Sequence, residues 1–179
     1  MAKRHSYLFV RGMRMSRSDV VAAKAEELLT PVTESFGVTV YDVEYVLENG
    51  ERYLRAYIDK EGGVTIDDCE NVSRAFEKVL DDSGLINDQY ILEVSSPGLG
   101  RALTKDRHLE KSLGEEVEIS FYKPQVIGIE KEKEIKSKSV TGILKAFDKD
   151  KITIADTETE SSSEWQRSDI SQIRLTLDF

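Results

Sequence analysis

The dipeptide Asn49-Gly50 separates two runs of residues in which apolar and polar side chains alternate. Asparagine and glycine tolerate the positive φ angles of a two-residue hairpin turn, and alternation with a period of two is typical of a strand with one buried face. Residues 38–47 therefore form one strand, with Asp42 on its polar face, and residues 51–59 return beside it. Any fold of this chain has to include this β-hairpin.

Amphipathic helices flank the hairpin. Residues 19–36 carry apolar side chains at helical spacing behind candidate serine N-caps at 16 and 18, and Pro31 inside the pattern predicts a kink or a short second helical piece. Residues 66–83 show a second apolar stripe with acids in the first turn, and residues 90–95 have the branched, apolar character of a strand. The first part of the chain is thus predicted to be α-β-β-α-β.

The pattern changes at a four-residue interdomain turn made of Ser95, Ser96, Pro97 and Gly98, in which proline and glycine suit the two central positions of a type II turn. Beyond it we predict a short helix at 105–112 and strands at 117–121, 140–147, 152–155 and near 170–177. The proline- and lysine-containing stretch 122–137 is expected to be a long solvated excursion. Several short strands of this kind indicate a small closed barrel of the SH3-like or Sm-like type.

Together these patterns predict an α+β protein with two domains. The predicted segments are a flexible N-terminal arm at 1–17, an α/β domain at 18–96, a linker at 97–103 and a β-barrel at 104–179.

Composition excludes several classes of protein. Cys69 is the single cysteine and there are two histidines, so neither an intramolecular disulfide nor a cysteine- or histidine-rich metal cage can form. No apolar run approaches the roughly 18 residues of a membrane span. We expect a cytoplasmic protein that uses neither a metal nor a cofactor and does not contact a membrane.

The net charge of −9 is unevenly distributed along the chain. Residues 1–17 hold five basic and no acidic side chains, residues 18–100 hold 6 basic and 18 acidic ones, and residues 101–179 hold 14 and 16. An acidic middle segment repels phosphates at long range. A nucleic-acid partner would therefore have to be met through local basic patches or through a basic protein.

The sequence offers weak signals for catalysis. Gly98-Leu99-Gly100 after a strand could cradle a pyrophosphate, but Leu103 replaces the third glycine of that motif and a tight turn is the simpler interpretation. Cys69 lies on the apolar stripe of the second helix and is interpreted as a core residue. No catalytic residues are predicted.

Two other polar groups also favour structural roles. His108 has no orienting partner nearby in the sequence and is expected at the surface. Asp67-Asp68 could bind a hard cation, but at a helix start these carboxylates more simply satisfy free N–H groups.

Signals for binding are stronger. Four basic residues follow the interdomain turn and would form a binding patch beside the domain junction. The alternative interpretation is that they form the solvated surface of a helix. These residues are Arg101, Lys105, Arg107 and Lys111. The lysines between 131 and 138 alternate with glutamates, which favours a solvated charge run over an RNA contact. Trp165 is expected in the barrel wall.

Three stretches of this sequence resemble the bacterial ribosome maturation factor RimP family. They are residues 90–103 (YILEVSSPGLGRAL), 54–59 (LRAYID) and 66–74 (IDDCENVSR), and the resemblance extends over about 18–179. The family's usual run is SSPGLDRPL, in which Gly100 here replaces the acid and Ala102 the second proline.

The resemblance implies a KH-like α/β domain followed by an Sm-like barrel, in a protein without catalytic activity. It implies binding to the free small ribosomal subunit, help in maturing its rRNA, and incorporation of its twelfth ribosomal protein, chiefly through the C-terminal domain. The acidic charge suits shielding of that basic protein, and we expect a monomer. An Sm-like RNA-binding regulator and, less favoured, a nucleotide-binding enzyme are the alternatives.

Overall fold

The computed structural model describes residues 15–98 and 100–176 of the 179-residue chain. The chain divides into two compact units after Pro97. Most of the predicted N-terminal arm lies outside the described residues. None of the helices in the described part of the chain is both long and apolar enough to cross a membrane.

The first unit has the predicted α-β-β-α-β order. Its elements are α1 (Arg17–Ser35), β1 (Thr39–Glu48), β2 (Glu51–Asp59), α2 (Ile66–Ser83) and β3 (Ile91–Ser95). The sheet order is β1-β2-β3, with β1 antiparallel and β3 parallel to β2. A parallel neighbour requires a crossover connection, and α2 provides it.

Side-chain caps define where both long helices begin. Ser16 and Thr65 each accept the N–H of the residue three positions on, and an aspartate there reaches back to the N-cap backbone. These capping boxes satisfy N–H groups that have no partner within the helix. The helix α1 continues through Pro31 to Ser35, so no separate second helical piece forms there, and Gly84 ends α2 with a left-handed φ of 61°.

The core of the first unit is the helix-facing side of the sheet. It contains Val43, Tyr45, Leu54, Ala56 and Ile58, packed against apolar residues of α1 and α2. The prediction that Asp42 is exposed is wrong, because only 1% of its surface is accessible. The register of β1 against β2 shifts between Val40 and Asp42, and this irregularity disturbs the simple alternation on which the prediction rested.

The second unit is a short helix and an antiparallel sheet. Its elements are α3 (Asp106–Lys111), β4 (Glu116–Glu130), β5 (Lys133–Phe147), β6 (Lys151–Ala155), β7 (Ser162–Gln166) and β8 (Ile170–Leu175). A 3-10 turn at Arg167–Asp169 joins the last two strands. The sheet order is β7-β6-β5-β4-β8, so the final strand returns to pair with the first.

The sheet curls around its core without a closing ladder. No pairing between β7 and β8 is found within residues 100–176, so the closed barrel predicted from the sequence is not detected. Nevertheless Phe121 on β4 contacts Trp165 on β7, although β5 and β6 lie between β4 and β7 in the sheet. A flat sheet could not bring them together. Trp165, predicted in the wall of the barrel, lies on β7 and packs against the core of this unit.

The predicted solvated excursion at 122–137 is instead a β-ribbon. Residues 125–130 pair with residues 133–137, and Lys131 and Glu132 form the turn with positive φ angles of 49° and 65°. A register shift between Ser120 and Gln125 accommodates Pro124, which cannot donate to a ladder. The lysine-glutamate run resembled a loop because both faces of this ribbon are exposed to water.

Candidate functional site

The predicted basic segment lies in the second unit and begins along the edge of β8. Ala102 forms a bridge with Arg174, and the N–H of Leu103 donates to the carbonyl of Ile173 at 2.7 Å. Leu103 is buried in the core of this unit, although it is the last residue of the linker predicted at 97–103. These contacts keep the backbone next to Arg101 in an extended conformation.

The four predicted basic residues differ in exposure. Arg101 and Arg107 are half-buried, whereas Lys105 and Lys111 are exposed, one immediately before α3 and the other at its end. Each of the four takes part in a polar or ring interaction within the protein. The two lysines are thus the members of the segment most accessible to a partner.

Burial of one face of α3 determines where these lysines are held. His108, Leu109 and Ser112 are buried, with His108 completely inaccessible. The N–H of Thr104 donates to Nδ1 of His108 at 3.3 Å. The prediction of a surface histidine is therefore wrong, because this short helix turns its polar imidazole inward to satisfy the backbone that precedes it.

Arg167 connects α3 to the β5–β6 turn. Its guanidinium donates to Asp106 Oδ1 and to the carbonyl of Asp148, both at 2.8 Å. The backbone N–H of Arg167 donates to the carbonyl of Asp150. Arg167 is not among the residues predicted from the sequence, because its partners lie far away along the chain. No local signal could have identified it.

The serine-proline-glycine turn lies where the first unit ends. Ser95 pairs with Tyr57 as the last residue of β3, and Gly98 has the φ of 77° that a type II turn needs at its third residue. Leu99 lies outside the described residues. An extended segment follows Gly100, and α3 begins only at Asp106, so the strand-turn-helix geometry of a phosphate cradle is not formed here.

The open face of the first unit's sheet is acidic. Arg55 donates to Glu48 at 2.7 and 2.8 Å and to Glu93 at 2.7 Å, and its guanidinium lies 4.9 Å from the ring centre of Tyr53. The hydrogen bonds from Arg55 hold the pKa of Glu48 below its usual value. An arginine beside a tyrosine could stack on RNA bases, but two carboxylates already occupy this guanidinium.

The other candidate groups of the first unit have structural partners. Asp68 accepts the N–H of Thr65 and contacts Lys60 Nζ at 3.2 Å, and the backbone hydrogen bond is the main reason that its pKa is lowered. Burial raises the pKa of the Cys69 thiol, which packs against the core. Within residues 15–98 and 100–176, no three His, Cys, Asp or Glu side chains are grouped as a metal ion would require.

Comparison with protein families confirms the resemblance seen in the sequence. Residues 28–100 match the family model described as the RimP N-terminal domain. The matched region runs from the middle of α1 to the turn that follows β3, so it covers most of the first unit.

Proposed function

We propose that this chain, which carries a RimP N-terminal domain, is a cytoplasmic assembly factor without catalytic activity that binds the free small ribosomal subunit. It would assist maturation of the rRNA and incorporation of the twelfth ribosomal protein of that subunit. The family match over residues 28–100 is the observation that carries this proposal, since RimP proteins are ribosome maturation factors.

The charge distribution supports separate roles for the two units. Residues 18–100 carry 18 acidic and 6 basic side chains, which suits a contact with a strongly basic ribosomal protein in addition to the contact through the C-terminal domain that the resemblance implies. This unit is poorly suited to phosphate, as the neutralised Arg55 illustrates.

We assign rRNA contact to the basic segment of the second unit. The backbone before α3 is hydrogen-bonded to β8, and the buried side chains of His108 and Leu109 fix the position of the helix. The backbone positions of Lys105 and Lys111 are therefore well defined. A charge held in position loses less conformational entropy when it meets a phosphate. Such contacts position a protein on RNA without reading its sequence.

The experiment that tests this function is co-sedimentation of the purified protein with free small subunits and with whole ribosomes, at low and high salt. We expect association with free small subunits, little with whole ribosomes, and weaker binding at high salt because phosphate contacts release counterions. Absence of association at both salt concentrations would refute the proposal.

The open edge of the second sheet at β7 favours one alternative, a ring-forming RNA regulator. Sm-like rings assemble when edge strands of neighbouring copies pair, and β7 has no strand beside its outer edge within the described chain, whereas residues 102–103 already bridge part of the β8 edge. Sedimentation velocity separates the two functions, because the assembly-factor proposal expects a monomer and the regulator requires a closed oligomer.

A further inference from the structure

A groove runs between α2 and the edge strand β3 of the first unit. Two open cavities of about 680 and 630 Å³ form it, and both are lined by Leu92. The α2 side chains along it recur every three or four residues, as one face of a helix requires. They are Ile66, Cys69, Glu70, Ser73, Arg74, Glu77 and Asp81.

The strand side of the groove is an open sheet edge. The strand β3 pairs with β2 on one side, and no strand of the described residues pairs with its other side. Such an edge presents backbone N–H and C=O groups that another extended chain can pair with. A sheet edge beside a helix is an arrangement that peptide-binding domains use for strand addition.

The groove also exposes apolar side chains. Ile66 is 85% exposed at one end, and Leu47 and Ile91 are 60% and 41% exposed at the other. Between them Leu92 and Val94 are half-buried and pack against the core. A partner strand could cover Leu92 and Val94 on the helix-facing side with every second residue, since alternate side chains of a strand share a face.

The charge of the lining selects the chemistry of the partner. The groove is lined by two arginines, Arg52 and Arg74, which pair with Asp88 and Glu70. The acidic side chains are Glu51, Glu70, Glu77, Asp81 and Asp88, whereas the carboxylate of Glu93 pairs with Arg55 on the open face of the sheet. Burial, together with Asp81 and Glu77, raises the pKa of Tyr90. The excess of carboxylates repels RNA phosphates and attracts lysine and arginine.

We propose that the α2–β3 groove binds an extended, lysine- and arginine-rich protein segment with alternate apolar residues, which adds a strand to β3. The segment would belong to the basic ribosomal protein, and this part of the inference rests on the function proposed above. Backbone hydrogen bonds would fix the register of the bound segment against β3, and the apolar side chains would contribute the buried area. The acidic side chains that line the groove would select a basic partner.

The test measures, by fluorescence anisotropy, the affinity of the full chain for a fluorescein-labelled peptide in which lysine and valine alternate. A peptide in which proline replaces valine keeps the charge but lacks the N–H groups at those positions, so it cannot form a regular strand ladder. We expect the alternating peptide to bind about tenfold more tightly or better, and the β3 amides to become protected from hydrogen exchange when it binds. Equal affinity of the two peptides would overturn strand addition.

Charge-reversed variants test the location. Glu77→Lys with Asp81→Lys should weaken peptide binding about tenfold, and both side chains are exposed, so the core is left intact. The matched control is Glu27→Lys with Glu34→Lys on α1, which makes the same change in net charge at exposed positions outside the groove. Equal weakening by both pairs would overturn the assignment to the groove.

Other occupants of the edge give distinct results. A dimer whose formation protects the β3 amides would assign the edge to a second copy of the chain. Tighter binding of an RNA oligonucleotide that competes with the peptide would assign it to RNA. Either result overturns the proposal. Because subunit co-sedimentation is a separate measurement, retained subunit binding with no peptide binding rejects only the groove assignment.

Discussion

The rings of Phe121 and Trp165 lie 4.9 Å apart between centroids inside the second unit, with their planes inclined by 52°. This tilted arrangement is one that aromatic pairs favour. It joins β4 to β7 across the curl of the sheet, where the described residues form no closing hydrogen bonds. Since Trp165 is the single tryptophan of the chain, its fluorescence reports on this unit.

Phe121→Ala should destabilise the second unit by about 3 kcal/mol, because it removes a buried ring and leaves a cavity against Trp165. Urea unfolding followed by tryptophan fluorescence measures this change. Tyr122→Ala is the control, since Tyr122 is 68% exposed and next in sequence. A similar loss of stability in both variants would show that the aromatic contact does not stabilise the curl.

Gly142→Ala should destabilise the second unit by about 1–3 kcal/mol. A Cβ at Gly142 would lie 2.6 Å from the carbonyl oxygen of Ala155, so the backbones of β5 and β6 would have to separate. Gly128→Ala on the ribbon is the matched control, because a Cβ there meets nothing within 4 Å. The same urea titration compares them, and an unchanged midpoint for Gly142→Ala would contradict the close approach of the strands.

Asp148 should make the stability of the second unit sensitive to acid. Its carboxylate accepts the N–H groups of Asp150 and Lys151 at 2.7 and 2.8 Å, and the first of these bonds is the main cause of its lowered pKa. A carboxylate with a lowered folded-state pKa stabilises the fold above its unfolded pKa of about 3.9. That contribution is lost as the pH falls through the folded-state pKa.

Asp148→Asn tests this dependence, since an amide oxygen still accepts the two N–H groups but does not titrate. We expect the loss of stability between about pH 5 and pH 2 to be smaller in this variant than in the wild type, as measured by urea unfolding with tryptophan fluorescence. Asp169→Asn, at an exposed residue of the 3-10 turn, serves as the control. Parallel pH profiles for wild type and Asp148→Asn would contradict the prediction.

Lys105→Glu with Lys111→Glu should weaken binding to free small subunits by about tenfold or more at low salt and reduce the salt dependence of binding, by about one slope unit for each lost phosphate contact. Co-sedimentation across a salt series measures both quantities. Lys131→Glu with Lys133→Glu at the ribbon turn changes the net charge equally. If this control weakens binding as much, the effect reflects net charge and the basic segment has no special role.

The order of elements could be predicted because each rests on local chemistry. Asn49-Gly50 defines the hairpin, and Ser16 and Thr65 cap the helices through residues three positions away. The matched region at residues 28–100 could likewise be recognised from its own motifs.

Other features depend on distant residues and were therefore missed. The burial of His108 follows from how α3 packs in the second unit, and that of Asp42 accompanies the register shift in β1. The acidic side chains of the groove beside β3 come from the start of β2, from α2 and from the segment before β3, so no single stretch of the sequence predicts the groove.

The ribbon beyond Pro124 also bears on how the chain could be altered. Residues 125–130 and 133–137 pair with each other, whereas β8 and β6 pair with the parts of β4 and β5 nearer the core. Removing equal numbers of residues from both arms would shorten the ribbon without shifting the register below it. The turn at Lys131 and Glu132 is accordingly a suitable place to insert a label or an epitope for following this protein in cells.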